Sequence, residues 1–402
     1  METSTARDHD TGAFSPPKGG VLPDRWLRRA VDAGAIASRS EPIPDSSIQP
    51  ASIDLRLGKV AHRLRCSFLP GSDTVANKLK RYDMEDLSLA DGAILERNRP
   101  YLIPLMEELG LPEGVWARAN PRSSTGRVDV FTRVITDGGS TFDDVAPGYR
   151  GRLYLEVVSR SFTIKVRTGL SLNQLRLVTG GSRLDDAEIR ETHAKTPLLF
   201  LDDLALAPER VTVSDGLFLS LDLAGDRDGV VGYRAKKNSR LLDLSAPGAH
   251  RAADFWEPVV KEAGDSLVLE PEEFYLLLSR EAVRIPPGLA SEMTAYDPTS
   301  GELRTHYAGF FDPGFGHSEE DALSGSRAAL EVRAHDVPFI VEHGQRVCKL
   351  VFERLVEEPS RLYGSEVGSS YQGQWGTLSK HFDRGQQPTT AGQLRFLPKR
   401  EA

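Results

Sequence analysis

The sequence predicts a mainly β protein made of two tandem copies of one β-rich unit, with a few short helices. Short apolar runs recur between Gly, Pro and Asp turns, the spacing of an all-β sandwich or barrel. Landmarks of the first half return in the second in the same order, the mark of an internal repeat. No apolar run approaches the ~18 residues that would span a bilayer.

Read in order, Met1 to Gly20 is a polar tail. It lacks an apolar h-region and so is not a signal peptide. A helix is expected within Pro23 to Gly34. Strands are expected at Ile53–Leu57, Tyr101–Pro104, Arg152–Val158, Phe162–Val166 and Leu170–Val178. Ala252 to Ala263 reads as a second helical patch.

The repeat is visible residue by residue. Ser52-Ile-Asp54-Leu is echoed by Ser220-Leu-Asp222-Leu. Tyr101-Leu-Ile-Pro is echoed by Tyr275-Leu-Leu-Leu, Pro147-Gly-Tyr149 by Pro313-Gly-Phe315, and Leu155-Glu156-Val157 by Leu330-Glu331-Val332. Tyr101 and Tyr275 are offset by 174 positions and Glu156 and Glu331 by 175; Ser52 and Ser220 are offset by 168 and the prolines by 166, with an insertion around His317 to Ser326. The expected units are residues 21–200 and 201–358, dividing near Lys195 to Arg210. A closing segment and tail occupy 359–402.

Composition narrows the class. An apolar share of 39% and a charged share of 27% are those of a soluble globular chain. Two distant cysteines, Cys66 and Cys348, offer neither a disulfide framework nor a zinc-binding CxxC, and fit a reducing cytoplasm. A net charge of −8 argues against a nucleic-acid polymer as partner, whereas a local cluster of arginines can still hold a small anion.

The richest stretch runs from Asn120 to Glu156. Arg122-Ser123-Ser124-Thr125-Gly126-Arg127 offers two cations, hydroxyls and backbone donors within six residues, which suits a polyphosphate. An isolated motif of this kind is usually a plain polar turn. Pro147-Gly-Tyr-Arg-Gly151 then forms a tight turn into Leu153-Tyr154-Leu155-Glu156. A carboxylate inside an apolar strand suits a general base with a raised pKa, although strand alternation also gives each strand one wet face. Together a phosphate clamp and a buried base describe an enzyme acting on a nucleotide. The paired H-x-E and P-C-x-x-C signature of zinc deaminases is absent: His317-Ser-Glu319 occurs, but no P-C-x-x-C accompanies it. The nine histidines form no ligand-like cluster in the sequence, and no metal ligand is assigned.

These motifs resemble those of the dCTP deaminases of the dUTPase-like superfamily, in a long form with two fused copies. Gln49-Pro-Ala-Ser-Ile-Asp-Leu-Arg-Leu-Gly58 resembles the family's N-terminal strand signature. Arg122 to Arg127 resembles its phosphate motif, and Pro147 to Glu156 its nucleoside hairpin and catalytic strand. Tyr363-Gly-Ser and Tyr371-Gln-Gly-Gln374 resemble its closing segment. The resemblance implies distorted, jelly-roll-like β-barrels and sites shared between neighbouring barrels, normally in a homo-oligomeric trimer. It implies hydrolytic loss of ammonia from dCTP without a metal on the attacking water. No tightly bound cofactor is implied; Mg²⁺ is expected only as the partner of the triphosphate.

Carried onto this chain, Glu156 is the leading candidate for the base and Glu331 its counterpart in the second copy. Arg122, Ser123, Ser124, Thr125, Gly126 and Arg127 hold phosphates, with Arg127 also available to orient water. Tyr154, Tyr363, Tyr371 and Gln374 join the substrate-binding set. The copies differ in complementary ways. Tyr296 and Asp297 stand where Arg122 and Ser123 would be, so the second copy lacks a clamp. Ala146 stands where the family's hairpin has a sugar-binding aspartate, and the second copy keeps Asp312 there. One reading is a composite site using Asp312 and Glu331. The other keeps the site in first-copy barrels, with Glu156 as base and Asp143 or Asp144 near the sugar. The lysine that often precedes Tyr-x-Gly-Gln is Ser370 here, and Arg361 or Lys380 is a substitute. The activities expected are dCTP deamination, dUTP pyrophosphate hydrolysis, or both; the alternative from another class is a non-catalytic nucleotide-binding regulator.

Overall fold

Each half of the chain repeats one set of strand pairings. The computed structural model describes residues 14–295, 303–305, 309–317, 325–334, 336–364, 371 and 377–383. In the first half, Tyr101–Gly110 lies between Arg150–Ser159 and Val60–Leu64, and Val130–Thr136 pairs with the other edge of Arg150–Ser159. Ser171–Thr179 lies between Ile53–Arg56 and Val115–Pro121 in a second sheet. In the second half, Tyr275–Val283 lies between Ser326–Ala334 and Val230–Ala235, and Arg346–Arg354 between Leu217–Ser220 and Leu289–Ala295. The protein is therefore mainly β, with two tandem distorted barrels and short helices.

The register repeats too. Leu102 faces Glu156 across one ladder, and Leu276 faces Glu331 across its counterpart. Tyr101 and Tyr275 are both buried, and each phenol accepts a backbone N–H from five residues earlier, Glu96 and Glu270. A buried tyrosine needs such a partner for its hydroxyl, and both copies supply it identically.

Two apolar cores follow the two barrels, but the chain crosses between them. Phe255, Trp256, Leu378 and Phe382 belong to the second half and pack into the first core. Leu242–Asp243 pairs in parallel with Ile164–Val166 of the first barrel. This anchoring carries the C-terminal residues back over the first barrel's phosphate motif.

Four expectations change. Residues 14–20 are no tail: Phe14 is buried in the first core, and Gly20–Val21 pairs with Ser171–Thr179. The division lies earlier than 195–210. Leu184, Ile189 and Leu198, around the helix Asp186–Lys195, pack into the second core, and Leu199–Leu201 pairs with Tyr275–Val283. Ala252–Ala263 is a short 3-10 turn, Ala252–Asp254, followed by the edge strand Trp256–Val260. Pro258 and two valines disfavour a helix interior, and an edge strand tolerates a residue without an N–H. Finally, an unexpected helix, Val75–Tyr82, is capped by Thr74 and lies over the first barrel. The helix expected at 23–34 forms as Asp24–Asp32 and ends before Gly34, whose φ is +74°. Among the described residues no helix is long and apolar enough to cross a membrane.

Candidate active site between the two barrels

The phosphate motif begins where Val115–Pro121 leaves its sheet. Arg122 donates its N–H to the carbonyl of Leu172, and the chain then makes one helical turn, Ser123–Gly126. The N–H groups of Thr125 and Gly126 return to the Arg122 carbonyl at 2.8 and 3.1 Å. The turn's own bonds leave the N–H groups of Ser123 and Ser124 unused, as at any helix start. Both serines border a cavity of about 640 Å³.

That cavity is built from both copies. Arg122, Ser123, Ser124, Thr125, Asp54 and Gln174 come from the first barrel, and Asp312, Tyr363, Tyr371 and Lys380 from the second half. A smaller hollow of about 60 Å³ adjoins it, where Ser123 and Arg127 meet Glu331, Asp312 and both tyrosines. Met293, Phe311 and Phe315 give this hollow apolar walls.

Glu331 sits directly on the clamp. A Cβ on Gly126 would lie 2.7 Å from both of its carboxylate oxygens, so only glycine leaves room for it. Burial pushes the Glu331 carboxyl up to about 8; Arg127 opposes this and Asp129 reinforces it. Arg127 donates from Nε to the Ser123 hydroxyl at 3.0 Å and from Nη1 to the Thr377 carbonyl at 3.2 Å. Its guanidinium lies 3.9 Å from the ring centre of Tyr371, a cation–π geometry.

The opposite wall carries a charged cluster. Arg122 pairs with Asp54 at 2.6 Å. Burial raises the Asp54 carboxyl to about 6, against the pull of Arg122 and Lys380. Burial, helped by Arg122, lowers the Lys380 ammonium to about 8, while Asp54 opposes the shift. Burial also lowers His381 to about 4, and its ring stays neutral between Ser379 and the Leu244 carbonyl. The Ser379 hydroxyl donates to the Ser124 carbonyl at 2.9 Å, tying the C-terminal segment to the clamp.

Asp312 lies on the seam. It accepts from Arg176 Nη2 at 3.0 Å and from the Ser52 hydroxyl at 3.3 Å, both first-barrel groups. An ionised carboxylate has about four acceptor sites, so it can still accept from a ligand hydroxyl. Tyr363 is held by its N–H on the Pro313 carbonyl and by its ring against Phe315.

Thus Arg122, Ser123, Ser124, Thr125, Arg127, Asp312, Glu331, Tyr363 and Tyr371 come together, with Gly126 beneath Glu331. Glu156 and Tyr154 line neither cavity. Tyr154 is buried with Leu64, Val75, Leu102 and Ile135, with Phe68 and Leu79 packed around them, where the helix Val75–Tyr82 and the loop before it cover the first barrel. Glu156 is buried, with Arg133 and Asp143 in its electrostatic surroundings and one carboxylate oxygen without a hydrogen-bond partner; burial raises its pKa. Asp143 is taken by Arg133 at 2.7 Å, and Asp144 points to Arg118. Arg361 bonds Asp45 and the Ile48 carbonyl and lines neither cavity, whereas Lys380 does line the larger one. Gln374, Tyr296 and Asp297 lie outside the described residues.

Sequence reasoning passed over Asp54, Gln174 and His381. Asp54 stood in a motif read for its repeat rather than for its charge. Among the described residues, His62, a single histidine, lies with Asp83 and Asp86 on two paired strands at the edge of the first barrel, away from both cavities.

Two family models cover this architecture. The 2'-deoxycytidine 5'-triphosphate deaminase N-terminal domain matches residues 18–181, and the C-terminal domain of the same family matches residues 185–382. The chain belongs to the dCTP deaminase family. In this family member the cavity lies where the two matched domains meet, with the clamp in one and Asp312 and Glu331 in the other. The crystal structure of 2'-deoxycytidine 5'-triphosphate deaminase from Agrobacterium tumefaciens is 44% identical, with a TM-score of 0.80 over 86% of this chain and 100% of that one. A curated dCTP deaminase of Natronomonas pharaonis is 30% identical over 48% of this chain and 91% of its own. A "dCTP deaminase, dUMP-forming" of Methanothermobacter thermautotrophicus is 30% identical over 34% of this chain and 67% of its own.

Proposed function

We propose that the chain hydrolyses dCTP to dUTP and ammonia in the cavity between its barrels, with Glu331 as the proton-transferring group. The observation that carries this is the buried Glu331 carboxylate seated on Gly126 of the phosphate turn, next to Arg127. The triphosphate, with its Mg²⁺, would lie along Arg122, Ser123, Ser124 and Lys380. The Asp312 carboxylate would accept from the sugar hydroxyl. Glu331 would take a proton from water as the water oxygen attacks C4 of the ring and pass it to N3, then carry the new hydroxyl's proton to the amine as the C4–N bond breaks and ammonia leaves. Arg127 would orient Glu331 and stabilise its charged form. Tyr363 and Tyr371 would exclude bulk water. This reading takes the base role from Glu156, because a carboxylate acts only within reach of the bound ring.

The test is ammonia release from dCTP. Glu331→Gln keeps the shape and removes the base, so turnover should fall by ~10²-fold or more with dCTP still bound. Glu156→Gln should keep most of its turnover. The reverse pattern would return the role to Glu156. A second reading, release of dUMP, is favoured by relatives whose names carry the words dUMP-forming. Assaying pyrophosphate separately from ammonia decides it: pyrophosphate in step with ammonia makes the enzyme bifunctional.

A further inference from the structure

A third cavity, of about 410 Å³, opens between the barrels, with Arg333, two residues beyond Glu331, in its wall. Arg97 and Arg160 reach it from the first barrel, and Lys236, Lys237 and Arg333 from the second; Glu272 and Glu273 oppose them. Five cations against two carboxylates leave a net +3 in a chain whose total is −8. A concave wall with an excess of one sign concentrates its field on a counter-ion.

The cations are held in place. Arg97 is fixed by two backbone carbonyls, those of Arg160 at 3.2 Å and Lys237 at 2.6 Å. Among the described residues it has no carboxylate partner, so its charge is uncompensated. Arg160 shares Glu272, and Lys237 shares Glu273. Arg333 is 5% exposed and is held by Asp129 and by the Glu272 carbonyl. A guanidinium anchored by carbonyls keeps its remaining donors for an incoming oxyanion. The cavity also touches the catalytic candidates through one ion pair. Asp129 follows the clamp turn, bonding the Gly126 carbonyl at 2.8 Å, and Arg333 is two residues beyond Glu331 on the same strand face.

We infer that this cavity is a second anion site, which binds a phosphate dianion on a small molecule and is distinct from the triphosphate clamp. The reading needs no turnover, so it stands or falls apart from the proposed reaction. Calorimetric titration with inorganic phosphate, in a Ser123→Ala background that weakens the clamp, should still show one site per chain. Adding Arg97→Gln should lower that affinity about tenfold or more, the loss expected when a charge-assisted bond is removed. Lys236→Gln, a half-buried rim residue, serves as a second variant should Arg97→Gln perturb folding, and should also weaken binding. Ribose 5-phosphate in place of inorganic phosphate separates the two sources of such a dianion. Tighter binding of the sugar phosphate means that the organic body is held as well, and equal binding means that the dianion alone is read. Phosphate binding that vanishes with Ser123→Ala, or that ignores both cavity variants, overturns the assignment.

Discussion

Glu331 and Glu156 are the same residue in the same register, and their surroundings make them different acids. Glu331 meets an arginine and a phosphate turn from the other barrel; Glu156 meets its own barrel's covering segment. The raised pKa of Glu331 has a kinetic sign. Below about pH 8 the carboxyl of the empty enzyme holds its proton and cannot act as base. The value of kcat/KM for dCTP should therefore fall as pH drops through about 8, since kcat/KM reports the free enzyme's groups. An acid limb near the ordinary carboxylate range, about pH 4.5, would contradict the assignment. The same shift has a stability sign. Between about 4.5 and 8 the folded state keeps a proton that the unfolded chain has lost, so stability contributed by this group decreases as pH rises through that window. Glu331→Gln removes the penalty. Its gain in Tm over the wild type should be larger at pH 8 than at pH 5, which calorimetry can measure. An equal gain at both pH values would assign the effect to packing. A group that costs stability at the working pH fits a functional residue better than a structural one.

At the scale of elements, the clamp turn and the strand Ser326–Ala334 are fitted to each other through one glycine. Gly126 does not have a left-handed φ, so alanine is acceptable to its backbone, and only the Glu331 carboxylate opposes a Cβ there. Gly126→Ala should displace that carboxylate and lower kcat more than it raises KM, because the phosphate donors of Ser123 and Ser124 stay in place. Steady-state kinetics on dCTP would show it, and a pure rise in KM would count against it. This contact also marks the limit of what the sequence disclosed. That Arg122 to Thr125 border the cavity was legible because the motif is contiguous and its chemistry is local. The barrels were legible because the strand landmarks recur in order. Which glutamate meets the turn, Glu156 or Glu331, was left open between two readings, since which strand faces a turn is decided by how two barrels pack. The intact Pro147-Gly-Tyr-Arg-Gly context of Glu156 pointed to a strand that lines neither cavity. The segment that covers Tyr154 was missed as well, since Val75–Tyr82 is short and mostly polar. Lys380 reaches the cavity only because Leu378 and Phe382, flanking it, anchor in the first core. Ala252–Ala263 was a misreading that Pro258 could have prevented.

At the scale of the whole molecule, the complementary losses between the copies acquire a spatial reason. The first barrel keeps the clamp but has Ala146, and the second keeps Asp312. The two kept halves face each other within one chain. Arg176 and Ser52 of the first barrel both bond Asp312 of the second, so the seam fixes the aspartate beside the clamp cavity. Duplication in one chain thus allows each copy to lose what the other supplies. The arrangement predicts the outcome of mixing inactive chains. Ser123→Ala should weaken triphosphate binding by roughly 1–3 kcal/mol, the scale of a hydrogen bond to a charged group. Asp312→Ala should lower turnover and erode discrimination against analogues lacking the 3'-hydroxyl, because a specific hydrogen bond is lost. If each site draws both parts from one chain, co-assembling the two variants leaves every site with one defect, and activity should equal the average of the two alone. Were the parts drawn from different chains, some mixed sites would regain both, and activity would rise above that average. Recovery on mixing would therefore sink the single-chain site, while its absence, with both variants folded, separates this two-barrel architecture from one in which neighbouring chains share their sites.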